Sequence, residues 1–182
     1  MKVLLVRHAT AAAPPGAAVG WGDVELAPAG SRQAEALAGR LEAGSVERLY
    51  SSDLRRAMQT ASILAGRLGL PILEAPELRE LDFGAWEGRR LADLWAERPD
   101  EARAWESDLR RLPSGFGETF ESFESRVAAF AARLQAESGD ALVVAHRGPL
   151  LVLYALLTGT CLQAAWRLPF ELGSVTEVEL GC

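Results

Sequence analysis

Val3-Leu4-Leu5-Val6-Arg7-His8 opens the chain with four apolar residues in an unbroken run and then stops at two residues that carry chemistry. A run without polar alternation predicts a strand covered on both faces, as in a parallel sheet. The pattern recurs far downstream in Ala141-Leu142-Val143-Val144-Ala145-His146, followed by Arg147-Gly148-Pro149. The chain has only two histidines, and each ends one of these strands. Ligands of open α/β sheets bind beyond the carboxyl ends of such strands. If the two strands are neighbours, both imidazoles reach one crevice.

Between and after these strands the pattern alternates. Strand one is expected over 2–7, then a proline- and glycine-rich loop from Ala9 to Leu26. A helix is expected over 28–42, with Gly44 as its stop, then a short strand over 46–50. Ser51-Ser52-Asp53 reads as the start of a helix reaching Leu68, with a short strand at 71–73 after it. Leu78 to Gly88 holds two glycines, two aromatics and three acids, which suits an ordered loop. Helical character over 89–109 is broken at Pro99, and Thr119 caps a helix with Phe120, Phe123, Val127, Phe130 and Leu134 on one face. A helix begins near Pro149, with 150–157 buried, and a last strand covers 174–180. Strands separated by helices make an α/β chain with a mostly parallel sheet.

The 182 residues predict a single domain with a full core. A net charge of −6 argues against nucleic-acid binding through bulk positive charge. No apolar run approaches the ~20 residues of a membrane span, and no signal peptide is visible. The two cysteines, Cys161 and Cys182, form no disulfide framework or metal-ligand spacing and read as free, non-catalytic thiols, which suits the cytoplasm. Lys2 is the only lysine among 19 basic residues, so an arginine counts as functional only by its position.

Position singles out a few. Arg7 and Arg147 each adjoin a strand-ending histidine, and Arg55 and Arg56 fall in the first turns of a helix, where free N–H groups attract anions. Adjacent residues cannot share a helix face, so at most one of Arg55 and Arg56 points into a site. Imidazoles and guanidinium forks together describe a pocket for phosphate or a similar oxyanion. A neutral histidine can attack phosphorus, arginines stabilise charge on the transferring oxygens, and a carboxylic acid protonates the leaving alcohol. The residues alone leave Glu80, Asp82 and Glu87 open for that last role.

In order along the chain, the motifs resemble the histidine phosphatase superfamily, in its phosphoglycerate-mutase-like branch. Val6-Arg7-His8 resembles the family's arginine–histidine signature. Gly22-Asp23-Val24-Glu25-Leu26 resembles its Gly-x-Asp-x-x-Leu stretch, and the segment from Ser51 to Ala61 its second-arginine motif. Glu80 to Gly88 is similar to the acid loop, Gly117-Glu118-Thr119 to a Gly-Glu-Ser, and His146 to the second histidine. The resemblance implies a three-layer α/β/α sandwich around a mostly parallel mixed sheet. It implies that His8 is the nucleophile, that Arg7, Arg56 and His146 bind the phosphoryl group, and that Glu80 is the acid. No metal or organic cofactor is implied.

Three places depart from the pattern. Ala9 stands where glycine is usual, Ala13-Pro14-Pro15 where an asparagine often touches phosphate, and Arg147 where a small residue is common.

The expected function is a cofactor-independent phosphomonoesterase acting on a small-molecule phosphate ester. Small α-ribazole-5′-phosphate phosphatases are the most similar members, and sugar or glycerate phosphates are equally compatible with the core motifs. A phosphoglycerate-type mutase would return the phosphate to a second hydroxyl. A non-catalytic phosphate-ligand binding protein would hold an ester without turnover. Oligomeric state is not readable.

Overall fold

The computed structural model describes residues 1–181; Cys182 lies outside the described residues. Five strands form one mixed sheet: β1 (Lys2–Arg7), β2 (Arg48–Ser51), β3 (Ile72–Glu74), β4 (Ala141–Ala145) and β5 (Val175–Glu179). Their order is β3-β2-β4-β1-β5. The β1, β2, β3 and β4 pairings are parallel, and β5 runs antiparallel to β1 along the edge. β4 is thus inserted between β1 and β2, with Arg7 level with Ala145 and Ser51 level with Val144.

Seven helices are described: α1 (Pro28–Ala38), α2 (Arg55–Leu68), α3 (Leu91–Glu97), α4 (Pro99–Ser107), α5 (Phe120–Ala136), α6 (Arg147–Thr158) and α7 (Leu162–Ala165). The period-two geometry of the strands divides the core. Leu4, Val6, Leu49, Leu142 and Val144 face one way and pack with Leu37 of α1 and Ala57, Ala61 and Leu64 of α2. Val3, Leu5, Ala141, Val143 and Ala145 face the other way and pack with Phe123, Val127 and Phe130 of α5 and Leu150 to Leu153 of α6. This is the three-layer α/β/α sandwich, and the two covered faces explain the unbroken apolar runs of β1 and β4.

Several boundaries differ from the expected ones. α1 ends at Ala38 with Gly39 as its cap, and Gly44 instead sits at φ 79° in a separate turn. α6 starts two residues before Pro149, so that proline occupies the first turn. Only its first half is fully buried; Leu156 is exposed. The break at Pro99 separates α3 from α4, and Thr119 accepts a hydrogen bond from the Ser122 N–H at 3.1 Å. No helix among the described residues is long and apolar enough to cross a membrane.

Candidate active site

The carboxyl ends of β1, β2 and β4 meet at one edge of the sheet. The His8 N–H donates to the Ala145 carbonyl at 2.9 Å, and the Ser52 N–H to the Val144 carbonyl at 2.9 Å. Parallel pairing of β1 with β4 therefore brings the two imidazoles together, with ring centroids 5.0 Å apart.

His8 is fixed in one tautomer. Its Nδ1 lies 2.8 Å from the Ala9 carbonyl oxygen, which can only accept, so Nδ1 carries the proton. The lone pair is left on Nε2, 3.4 Å from the Arg56 Nε. Burial, and then the nearby Arg56 and Arg7 charges, push the His8 pKa down to about 3, against the raising effect of the Ala9 bond. The ring is thus neutral through the physiological range.

Arg56 is 1% exposed. It is held by the carbonyls of Gly20 at 2.7 Å, Gly22 at 3.0 Å and Val19 at 3.3 Å, all from the loop after β1. Its neighbour Arg55 is exposed and pairs with Asp23 and Glu25, so one arginine of the two enters the site. Ser51-Ser52-Asp53 leads directly into α2, as expected, and its side chains turn elsewhere. Asp53 pairs with Arg79, while the Arg55 N–H is taken by Asp23 from across the loop at 3.1 Å. Arg7 donates to the Phe170 carbonyl at 2.6 Å. Burial lowers the pKa of both Arg7 and Arg56, and arginine remains charged regardless.

His146 is fully buried and lies behind His8 rather than on the cavity wall. Its Nε2 is 2.9 Å from the Ser52 hydroxyl, and its Nδ1 has no protein partner. Burial, followed by the Arg56 charge, holds its pKa well below the ordinary value.

Of the three acids in the loop, only Glu80 lines the cavity. Its Oε1 accepts from the Leu81 N–H at 2.9 Å and the Gly148 N–H at 3.2 Å, and its Oε2 lies 3.3 Å from the same Gly148 nitrogen. Gly148 is in the first turn of α6, where N–H groups have no helical partner. A Cβ there would collide with the Glu80 carboxylate, so the approach requires glycine. Asp82 instead closes a turn onto the Gly84 N–H at 2.9 Å, and Glu87 accepts from the Gly20 N–H at 3.0 Å.

Four contributors were not legible as such in the sequence. Ser52 reads as a helix-start residue and turns out to hold His146. Thr60, one turn beyond Arg56, accepts from the Ala9 N–H at 3.1 Å and so steadies the carbonyl that orients His8. Gly148 reads as a turn glycine. Arg126 carries no sequence signal of its own, and from α5 it binds the carbonyls of Glu77, Arg79 and Glu80 at 2.6–2.8 Å and pairs with Glu118 at 2.7 Å. Glu118 in turn accepts from the Asp82 N–H at 2.9 Å, which gives Gly117-Glu118-Thr119 its physical role as a clamp on the acid loop.

The departures are placed too. Ala9 is fully buried, Ala13, Pro14 and Pro15 line the cavity, and Arg147 lies over the Trp166 ring at 4.9 Å while donating to the Trp166 carbonyl at 2.7 Å. Among the described residues, no group of three or more His, Cys, Asp or Glu side chains is placed to hold a metal ion.

The chain is similar to known proteins. The adenosylcobalamin/α-ribazole phosphatase of Escherichia coli is 33% identical over 99% of this chain and 90% of its own length. Phosphoserine phosphatase 1 of Hydrogenobacter thermophilus is 27% identical over 99% of this chain and 87% of its own. The structure of a mycobacterial glucosyl-3-phosphoglycerate phosphatase in complex with VO3 superposes with a TM-score of 0.85 at 30% identity, covering 98% of this chain and 92% of that one. A family model described as the histidine phosphatase superfamily (branch 1) matches residues 3–181, and the chain belongs to that family.

Proposed function

We propose that the protein is a phosphatase that hydrolyses small phosphate monoesters through a phosphohistidine on His8. The observation that carries this reading is the state of His8: neutral, with Nδ1–H held by the Ala9 carbonyl and the Nε2 lone pair beside the Arg56 guanidinium. Nε2 attacks phosphorus and the ester P–O bond breaks. Its electron pair stays on the leaving oxygen, which takes a proton from the Glu80 carboxyl and departs as the alcohol. Phosphorylation makes the ring cationic, and the Ala9 carbonyl stabilises it through the retained Nδ1–H. Arg7 and Arg56 offset the negative charge of the transferring oxygens. Water then attacks phosphorus as the Glu80 carboxylate takes its proton, the N–P bond breaks, and phosphate is released. His146, held by Ser52 and with Nδ1 unpaired, completes the phosphoryl-binding set with Arg7 and Arg56.

Hydrolysis of p-nitrophenyl phosphate by wild type and His8→Ala, with excess chelator, tests the assignment. Turnover that withstands the chelator and falls at least ~10³-fold in the variant is expected for loss of a nucleophile. Equal turnover in both proteins would sink it. Recovery of labelled phosphate on a second hydroxyl of the substrate, rather than in water, would make the enzyme a mutase.

A further inference from the structure

The cavity that receives the ester has a volume of about 560 Å³, the size of a pocket for a drug-sized molecule and far more than phosphate needs. Its charged end is Arg7, Arg56 and Glu80, next to His8. Beyond that end the wall changes character. Val19 and Leu91 line it on one side, and Trp105, Leu112 and Trp166 also contribute. The two tryptophans form an edge-to-face pair with centroids 6.3 Å apart. Besides Arg7, His8, Arg56 and Glu80, the polar groups that side chains bring to the lining are the Thr10 hydroxyl, the Arg147 guanidinium near Glu80, and the indole N–H groups of the two tryptophans, of which Trp105 Nε1 is buried without a partner. The Thr10 hydroxyl donates to Gln33 Oε1 at 3.1 Å. Arg147 donates to the Trp166 carbonyl and lies over that ring, with the Glu80 and Glu171 carboxylates near enough to offset its charge. Set over the Trp166 ring, its planar guanidinium continues the aromatic wall.

We propose that the alcohol released in this site is a bulky, uncharged group that is mainly apolar or aromatic, and that polyhydroxylated or carboxylate-bearing phosphate esters are poor substrates. This rests on the cavity being the phosphatase site. A sugar or amino-acid alcohol would exchange water for a mostly apolar wall whose few side-chain polar groups are nearly all donors, too few to match several hydroxyls or a charged ammonium and carboxylate, whereas an aromatic body gains packing there.

The test compares kcat/KM for phosphate monoesters of three primary alcohols, so that leaving-group chemistry is similar: 2-(1-naphthyl)ethyl phosphate, glucose 6-phosphate and O-phosphoserine. p-Nitrophenyl phosphate reports basal activity. The naphthylethyl ester is expected to exceed the other two by about 100-fold or more, chiefly through KM. Leu112→Asn and Leu91→Asn should each shrink that ratio by about 10-fold, by adding an amide to the wall. Glucose 6-phosphate or O-phosphoserine turning over as well as the naphthylethyl ester would overturn the proposal, as would a ratio unmoved by both variants. Failure on all four esters would overturn the phosphatase reading itself, and this proposal with it; that outcome is distinct from hydrolysis without preference.

Discussion

Glu80 reaches the cavity with its carboxylate set on the Gly148 N–H, and its backbone carbonyl is tied down by Arg126 and by the Trp21 indole N–H at 2.8 Å. A group so placed acts on the leaving oxygen, and its importance depends on how badly that oxygen needs a proton. Glu80→Gln should therefore lower kcat for an alkyl phosphate by roughly 10²–10⁴-fold and that for p-nitrophenyl phosphate much less, because nitrophenolate departs unprotonated. Steady-state kinetics on the two esters check this, and an equal loss on both would assign Glu80 to phosphate binding or folding instead. His8 is the other residue whose behaviour is set by its surroundings. An ordinary imidazole would protonate near pH 6.5 and lose its nucleophilic pair; with its pKa near 3, His8 keeps that pair in mildly acidic solution.

At the level of elements, the start of α6 has two tasks: it follows directly on His146 and it receives Glu80. Gly148→Ala replaces a weak helix former with a strong one, so α6 itself should not suffer. The new Cβ collides with the Glu80 carboxylate and meets the Phe123 ring at 3.3 Å. Alkyl-phosphate turnover is expected to fall about 10–100-fold, by loss of part of the acid's contribution, with a nearly unchanged thermal midpoint. A large drop in the midpoint would show that the substitution breaks packing rather than positioning. The elements also explain what the sequence made legible. β1 and β4 announce themselves because strands buried on both faces must be apolar throughout, and the α5 stripe because one helix face meets the sheet. Helix geometry leaves Arg55 and Arg56 as a choice of one from two, since adjacent helical residues diverge, and resemblance selects Arg56. Glu80 was separable from Asp82 and Glu87 only by resemblance: what distinguishes it is a backbone N–H 68 residues away, and no local pattern encodes that contact. Ser51-Ser52-Asp53 marks the start of α2 correctly, but the acceptor for the Arg55 N–H is Asp23, 32 positions upstream, and no local pattern encodes that either. Short-range signals name the elements, and tertiary contacts assign the side chains.

Taken whole, the molecule folds around two uncharged histidines, and acid should find them. Both have pKa values depressed in the folded state by burial, whereas in the unfolded chain they titrate near 6.5. Below pH 6.5 the unfolded chain binds protons that the folded one refuses, so stability is lost as pH falls from about 6.5 toward 3 and is unaffected by these groups above about 7. The slope approaches about 1.4 kcal/mol per pH unit for each histidine. Urea midpoints should fall between pH 7 and pH 5, and His8→Asn should flatten that dependence; identical wild-type midpoints at the two values would contradict it. The two loops that frame the cavity behave as one part. Ala18 exchanges backbone hydrogen bonds with Gly88 and Arg89, Leu91 N–H reaches Gly16, and Glu87 takes the Gly20 N–H. These loops and α3 supply much of the wall around the alcohol, while the nucleophile hangs from the sheet beneath. Grafting either loop alone from a relative would replace one partner in every one of these bonds, whereas moving both together keeps the pairs intact and leaves the sheet untouched. The share of the wall that these two loops supply is therefore inherited as a pair of segments distant in sequence, and a transplant of that share has to be made in duplicate.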